Sequence, residues 1–222
     1  MTIAVPRLVR VPAAERGITI GDFLVPIFLG ERMSSRVRHV VLVIAGALAL
    51  VICAYIAVPI PGTPVPVTAQ TFGVLIVGGA LGFRRGALAV GLYLALGIAG
   101  LPVYAGHASG IGTFGSLADG LRLAPTGGYL VGFVVAAAVV GRFAELGWDR
   151  TVGGALAAFT IGTALIYAFG IPWLALALGV SVRRALEIGL APFLLGDVLK
   201  IVVAAGILPA AWWVVARRSI DR

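Results

Sequence analysis

Short connections and terminal tails that carry nearly all the charge set off long apolar runs in this chain, and that division limits what it can fold into. A helix needs about 20 mostly apolar residues to span a bilayer. Six stretches come near that length: His39 to Val58, Val65 to Phe83, Gly86 to Tyr104, Ala124 to Gly141, a fifth from near Thr151 to a point between Gly170 and Val180, and Ile188 to Val215. Apolar residues make up 60% of the 222 and charged residues 12%, with a mean hydropathy of +1.09. Ordinary soluble domains hold about 45–50% and about 25%. Such a chain cannot cover its own surface with polar groups, and in lipid its backbone must satisfy its own hydrogen bonds. The fold expected is all-α: a polytopic membrane protein with six transmembrane helices over residues 39–216, an N-terminal cytoplasmic tail over 1–38 and a basic C-terminal tail over 217–222. A disordered chain, a nucleic-acid binder and an ordinary cytosolic enzyme are excluded.

The formal net charge of +8 is distributed as a topology signal. With six spans, both termini and the even-numbered connections share one side. Close to the spans that side carries ten arginines (Arg32, Arg36, Arg38, Arg84, Arg85, Arg142, Arg150, Arg217, Arg218 and Arg222), and the other carries three, Arg122, Arg183 and Arg184. The positive-inside bias places both termini in the cytoplasm, with Arg183 and Arg184 as the exception. Arg7, Arg10, Glu15 and Arg16 interrupt any apolar core at the start, so no secretory signal is read there and the first span acts as its own signal. The tail itself is expected to be solvated rather than held on the membrane as a surface helix. The single cysteine, Cys53, gives neither a disulfide framework nor a metal site.

Small residues recur at helical spacing. Gly78, Gly82 and Gly86 would share one helix face, as would Ala45, Ala49, Cys53 and Ala57. Small faces let helices approach closely where lipid supplies no hydrophobic drive. Each face either packs the bundle or docks a second membrane protein, and spacing alone favours packing.

Ionisable groups inside the membrane are costly and mark function. The sixth span holds Asp197 and Lys200, the only lysine. Three residues apart on a helix, they share a face and can neutralise each other. Placed about nine residues into that span, Asp197 would lie about 13 Å from its outer end, in a site open outward. Thr68 and Gln70 close the proline-rich stretch Val58–Thr71 and offer a hydroxyl and an amide to a polar, uncharged ligand group, although Thr68 could instead cap the second helix. Arg122, at the end of the longest outward loop, is available to a carboxylate. Tyr93 and Tyr104 could stack on a flat ligand or simply anchor at the interface. There is no P-loop, no HExxH and no G-x-S-x-G, and the only histidines are His39 and His107. ATP hydrolysis by a P-loop and a metal centre are therefore not expected. An intramembrane enzyme using Asp197 as acid or base remains an alternative.

Four ordered motifs carry a resemblance: Pro66-Val-Thr-Ala-Gln-Thr71, Gly100-Leu-Pro-Val-Tyr-Ala-Gly106, Pro125-Thr-Gly-Gly-Tyr-Leu130 followed by Gly132-Phe133, and Pro192-Phe-Leu-Leu-Gly-Asp-Val-Leu-Lys200. Together they resemble the BioY family, the substrate-binding (S) components of biotin transporters of the energy-coupling-factor type, over about residues 39 to 216. The resemblance implies a six-helix protein of the prokaryotic cell membrane that binds biotin near the outer face, under the loops after the first and third helices. It implies ligand contacts from Thr68, Gln70, Asp197 and Lys200, and docking through Ala45 and Ala49. It further implies a transmembrane coupling subunit of the EcfT type and two ATPase subunits of the EcfA type as partners, with biotin as transported ligand, no cofactor and no enzymatic activity. An S component for another vitamin is the nearer alternative. Leu195 stands where the family often has proline, and residues 107–124 do not align. Either Lys200 or Arg122 could hold the biotin carboxylate.

Overall fold

The computed structural model describes residues 19–23, 34–116 and 122–220. The first long helix, α1 (Ser35–Tyr55), starts where the Ser34 hydroxyl accepts the amide of Val37, and buries Leu42, Gly46, Leu50 and Ala54 along one face. Four prolines keep the next stretch out of helix, and it forms a two-stranded antiparallel ribbon of β1 (Ala57–Val58) and β2 (Val67–Thr68). Helix α2 (Gln70–Ile98) follows. A second small ribbon, β3 (Gly115–Ser116) with β4 (Arg122–Leu123), leads into α3 (Gly127–Glu145). Then come α4 (Val152–Leu178), the short α5 (Val182–Gly189) and α6 (Leu194–Ile220).

The helix α2 contains a reversal. Gly82 has φ 83° and ψ −179°, which only glycine adopts freely, and the arms on either side of it, 70–81 and 83–98, run back along each other. A straight helix would separate Gln70 from Tyr93 by about 34 Å, yet Gln70 Nε2 donates to Tyr93 Oη at 2.7 Å. The expected single face of Gly78, Gly82 and Gly86 is therefore corrected. Gly82 makes the turn, and a Cβ on Gly86 would stand 3.1 Å from the Cα of Gly78 in the opposite arm. The packing reading of that glycine set is the one seen.

The expected second and third stretches thus appear as the two arms. They are shorter than expected, because the β1–β2 ribbon takes Val67 and Thr68 at one end and Gly100, at φ 100°, closes the other. Among the described residues, five helices are long and apolar enough to cross a membrane, the paired arms of α2 counting as one of them. Helix α3 packs against α2 and α4, with Gly78 against the backbone of Ala137 and Gly141 against that of Gly82. The sixth stretch starts later than expected, at Leu194. Between it and α4 stands α5, where Arg183 and Arg184 pair with Glu187 at 3.4 and 3.1 Å.

The reading of residues 1–38 as a solvated tail does not hold where the tail is described. Thr19 and Ile20 are 1% exposed, Asp22 pairs with Arg85 at 2.8 Å, and α1 already begins at Ser35. At the end of the bundle near the Gly82 turn, Ile20 fills an apolar gap within the cluster of Leu75, Val140, Phe159 and Leu208. Most of the apolar stretch Phe23–Gly30 lies outside the described residues.

Asp149, in the turn between α3 and α4, is 3% exposed. Its Oδ2 accepts from Trp212 Nε1 at 2.5 Å, while Oδ1 is buried without a protein partner. Burial raises its pKa to about 6, against the opposing help of Trp212 and Arg150. A folded pKa above the unfolded 3.8 makes this group stabilise the fold most at low pH, and the contribution fades as pH rises through about 6. Thermal melts of the purified protein between pH 4.5 and 7.5 should show that decline, and Asp149→Asn should flatten it.

Candidate functional site

At the end of the bundle opposite the Gly82 turn, a cavity of about 250 Å³ lies between the loops and the helix ends. This is near the lower end of small-molecule pockets, about 300 Å³. The proline-rich connection contributes Pro64, Pro66 and Thr68, and the first arm of α2 contributes Gln70 and Thr71. Tyr104 and Ala108 come from the loop after α2, and Tyr129, Leu130 and Phe133 from α3. Helix α4 adds Ile166 and Tyr167, and α6 adds Asp197 and Lys200. Most of the wall is aromatic or aliphatic, and its charged pair comes from α6.

The pair centres on Asp197, which is 5% exposed. Its Oδ1 accepts from Lys200 Nζ at 3.0 Å and from Thr71 Oγ1 at 3.3 Å, and its Oδ2 accepts from Tyr167 Oη. Lys200 Nζ also donates to Thr71 Oγ1 at 3.0 Å. A carboxylate offers about four lone-pair positions and an ammonium three protons. Asp197 therefore keeps one acceptor position on Oδ2, and Lys200 keeps one proton. Side by side at a cavity wall, the two present an acceptor next to a donor. The helix begins at Leu194, so Asp197 is three residues, about 4.5 Å, from its start, and not the 13 Å expected. The turn at 190–193 between α5 and α6 occupies what the sequence suggested was helix.

Neighbouring polar groups are held from behind. Gln70 is buried, with its amide nitrogen on Tyr93 and its backbone N–H donating to Thr68 Oγ1 at 3.2 Å. Thr68 thus serves the start of α2 and the cavity wall at once. Tyr104 Oη donates to the Leu94 carbonyl at 2.7 Å, and Tyr129 Oη to that of Gly189 at 2.9 Å, so both rings face the cavity with their hydroxyls already bonded.

The BioY family profile matches residues 29–217. The chain belongs to the BioY family. The biotin transporter BioY of Rhizobium etli is 42% identical over 149 residues, 64% of this chain and 75% of that one. The protein of the same name from Thermotoga maritima is 37% identical over 70% of this chain and 85% of its own. A crystal structure of the S-component for biotin from an ECF-type ABC transporter superposes with a TM-score of 0.70 at 25% identity, covering 80% of this chain and 93% of that one. With its apolar helices, this BioY chain is a multi-pass membrane protein of a transporter family, not of an enzyme family.

Of the residues expected at the ligand site, Thr68, Gln70, Tyr104, Asp197 and Lys200 line this cavity together. Tyr93 takes another place. It is fully buried and lies edge-on to Tyr104 at 5.4 Å, so it positions Gln70 and has no free face for stacking. Arg122 sits in β4, with its side chain outside the described residues. On α1, Ala45 is exposed and Ala49 half-buried, while Cys53 faces Gly73 inside the bundle, so the small-residue stripe does not stay on one surface. Sequence reasoning missed Thr71 and Tyr167. Thr71 ends a quoted motif one residue past Gln70, and Tyr167 is the lone phenol of the fifth apolar stretch. Either could have been flagged as a polar group in a span.

Proposed function

We propose that this chain is the biotin-capturing S component of an energy-coupling-factor transporter. The observation that carries this reading is the unused acceptor of Asp197 beside the unused proton of Lys200, at the wall of a mostly apolar cavity. A ureido ring presents an N–H next to a carbonyl, which complements that pair. The thiophane ring and alkyl chain suit the walls of Leu130, Phe133, Ile166 and Phe193. With the ureido ring there, the valerate points toward the loops. The arginine-rich end around Arg85 and Arg142 faces the cytoplasm, which puts the cavity toward the outer side.

The names and solved structure of the relatives support biotin as ligand and an ECF module as partner. The finer assignment is a coupling subunit of the EcfT type with two EcfA-type ATPases, docked across Ala45 and Ala49 of α1. Ala45→Trp should leave biotin binding within about twofold, as surface changes do, and should stop uptake in cells that also express the coupling and ATPase subunits. Equal uptake would remove Ala45 from the docking face. Titration of the purified chain with biotin, riboflavin and thiamine tests the ligand. Saturable one-to-one binding of biotin alone is expected, and riboflavin or thiamine binding without biotin would overturn the assignment. Tyr93→Phe, which strips a buried partner from Gln70, should weaken biotin about tenfold by calorimetry.

A further inference from the structure

The segment Thr19–Phe23 precedes the stretch matched by the BioY family profile, which starts at residue 29. Thr19, Ile20 and Gly21 in it are nevertheless buried against the bundle. Both guanidinium nitrogens of Arg85 donate to Asp22, at 2.8 Å each, and one also reaches Thr19 Oγ1 at 3.0 Å. Arg85 stands three residues past the Gly82 reversal, so this fork grips the turn of the α2 hairpin. Ile20 is 1% exposed within the inner apolar cluster, and Phe23 meets the ring of Trp212 edge-on at 5.6 Å. Trp212 belongs to α6, the helix whose other end carries Asp197 and Lys200, about 22 and 18 Å away along its axis. Gly21 lies flush on the hairpin, where a Cβ would come within 2.9 Å of the Ala80 carbonyl oxygen.

We propose that Thr19–Phe23 is a latch at the inner end of the bundle, which ties α6 to the turn of the α2 hairpin and so keeps Asp197 and Lys200 against Thr71. The contacts connect the two ends through helical elements, with Pro209 lying in α6 three residues before Trp212. The first arm of α2 runs from Thr71 to the turn that Arg85 marks, and α6 runs from Asp197 to Trp212. Fixing the arm and the helix to each other at one end limits how far they separate at the other. Burial pushes the Asp22 carboxyl up, but the Arg85 guanidinium and Thr19 more than offset this and hold it below the ordinary carboxylate range. The ion pair therefore stays formed at neutral pH. The effect on ligand rests on biotin being the ligand, whereas the seating of the segment does not.

The test uses the full chain with Cys53→Ala, so that Ile20→Cys is the only thiol. Seated, that thiol should react with maleimide at least about tenfold more slowly than in the denatured chain, the protection expected of a segment that opens only occasionally. Adding Gly21→Leu, which drives a side chain into backbone, should bring the rate close to the denatured one. In the Ile20-containing chain, the same Gly21→Leu should weaken biotin about tenfold with the one-to-one stoichiometry kept. If Gly21→Leu yields no folded protein, Asp22→Asn, which removes a charge and adds no bulk, carries both readouts. Fast labelling before any release, continued protection after it, or release with unchanged affinity would each overturn the latch. Wild-type protein that binds no biotin would instead overturn the function proposed above, with the labelling rates still deciding whether the segment is seated.

Discussion

Purified Lys200→Ala protein should bind biotin at least about 100-fold more weakly than the wild type. Two losses add. The ligand loses its one available ammonium proton, and Asp197 is left as a buried carboxylate with only Thr71 and Tyr167 to satisfy it. Removing one partner of a buried, hydrogen-bonded charge pair costs about 2–5 kcal/mol, and about 2.7 kcal/mol corresponds to 100-fold. Asp197→Asn should fall nearly as far, because it leaves Lys200 without its counter-charge while keeping shape. Isothermal titration of the two variants against wild type reads both. Were Asp197 an acid or base in an intramembrane enzyme, Asp197→Asn would keep affinity and lose only turnover. Tyr167→Phe should be much milder, since Asp197 keeps its bonds from Lys200 and Thr71.

Gly141→Val should prevent recovery of a folded, monodisperse protein. A Cβ at residue 141 would stand 2.4 Å from the carbonyl carbon of Gly82 and 2.6 Å from the amide nitrogen of Phe83. Both are backbone atoms of the hairpin turn, and that turn is further held by Glu145 Oε1, which accepts the Phe83 amide at 2.9 Å. Overpacking against movable side chains costs about 1–3 kcal/mol. Here neither side can give, so the cost should exceed that range. Gly153→Val is the control, because nothing lies within 4 Å of a Cβ at that site. Size-exclusion profiles and thermal melts of the two variants should differ sharply, and equal behaviour would show that the α3–turn contact is not needed.

The sequence carried the class of fold because hydropathy over long windows is a solvent argument, independent of which helix meets which. The hairpin was not legible in the same way. A four-residue glycine repeat reads as one helix face unless one of its members has a positive φ, and Gly82 has one only because the arms must reverse there. Asp197 and Lys200 were legible because charge in an apolar run has few explanations. Thr71 and Tyr167 were not, because a lone hydroxyl in a span is common, and only the folded geometry puts both on the same carboxylate. Tyr93 shows the opposite error. An aromatic near a membrane edge suggested a stacking face, but its hydroxyl serves Gln70 and its ring is enclosed. The buried Thr19–Phe23 segment escaped notice because five residues are too few for periodicity to report, and its partner Arg85 looked like one of many arginines on the expected cytoplasmic side.

The central claim concerns which end of biotin meets the buried ion pair. A crystal structure of the purified chain with biotin bound tests it most directly. The account predicts a ureido N–H within hydrogen-bonding distance of Asp197 Oδ2, with the ureido carbonyl oxygen on Lys200 Nζ and the valerate directed to the loops. Biotin seated with its carboxylate on Lys200, or bound outside the cavity altogether, would contradict it.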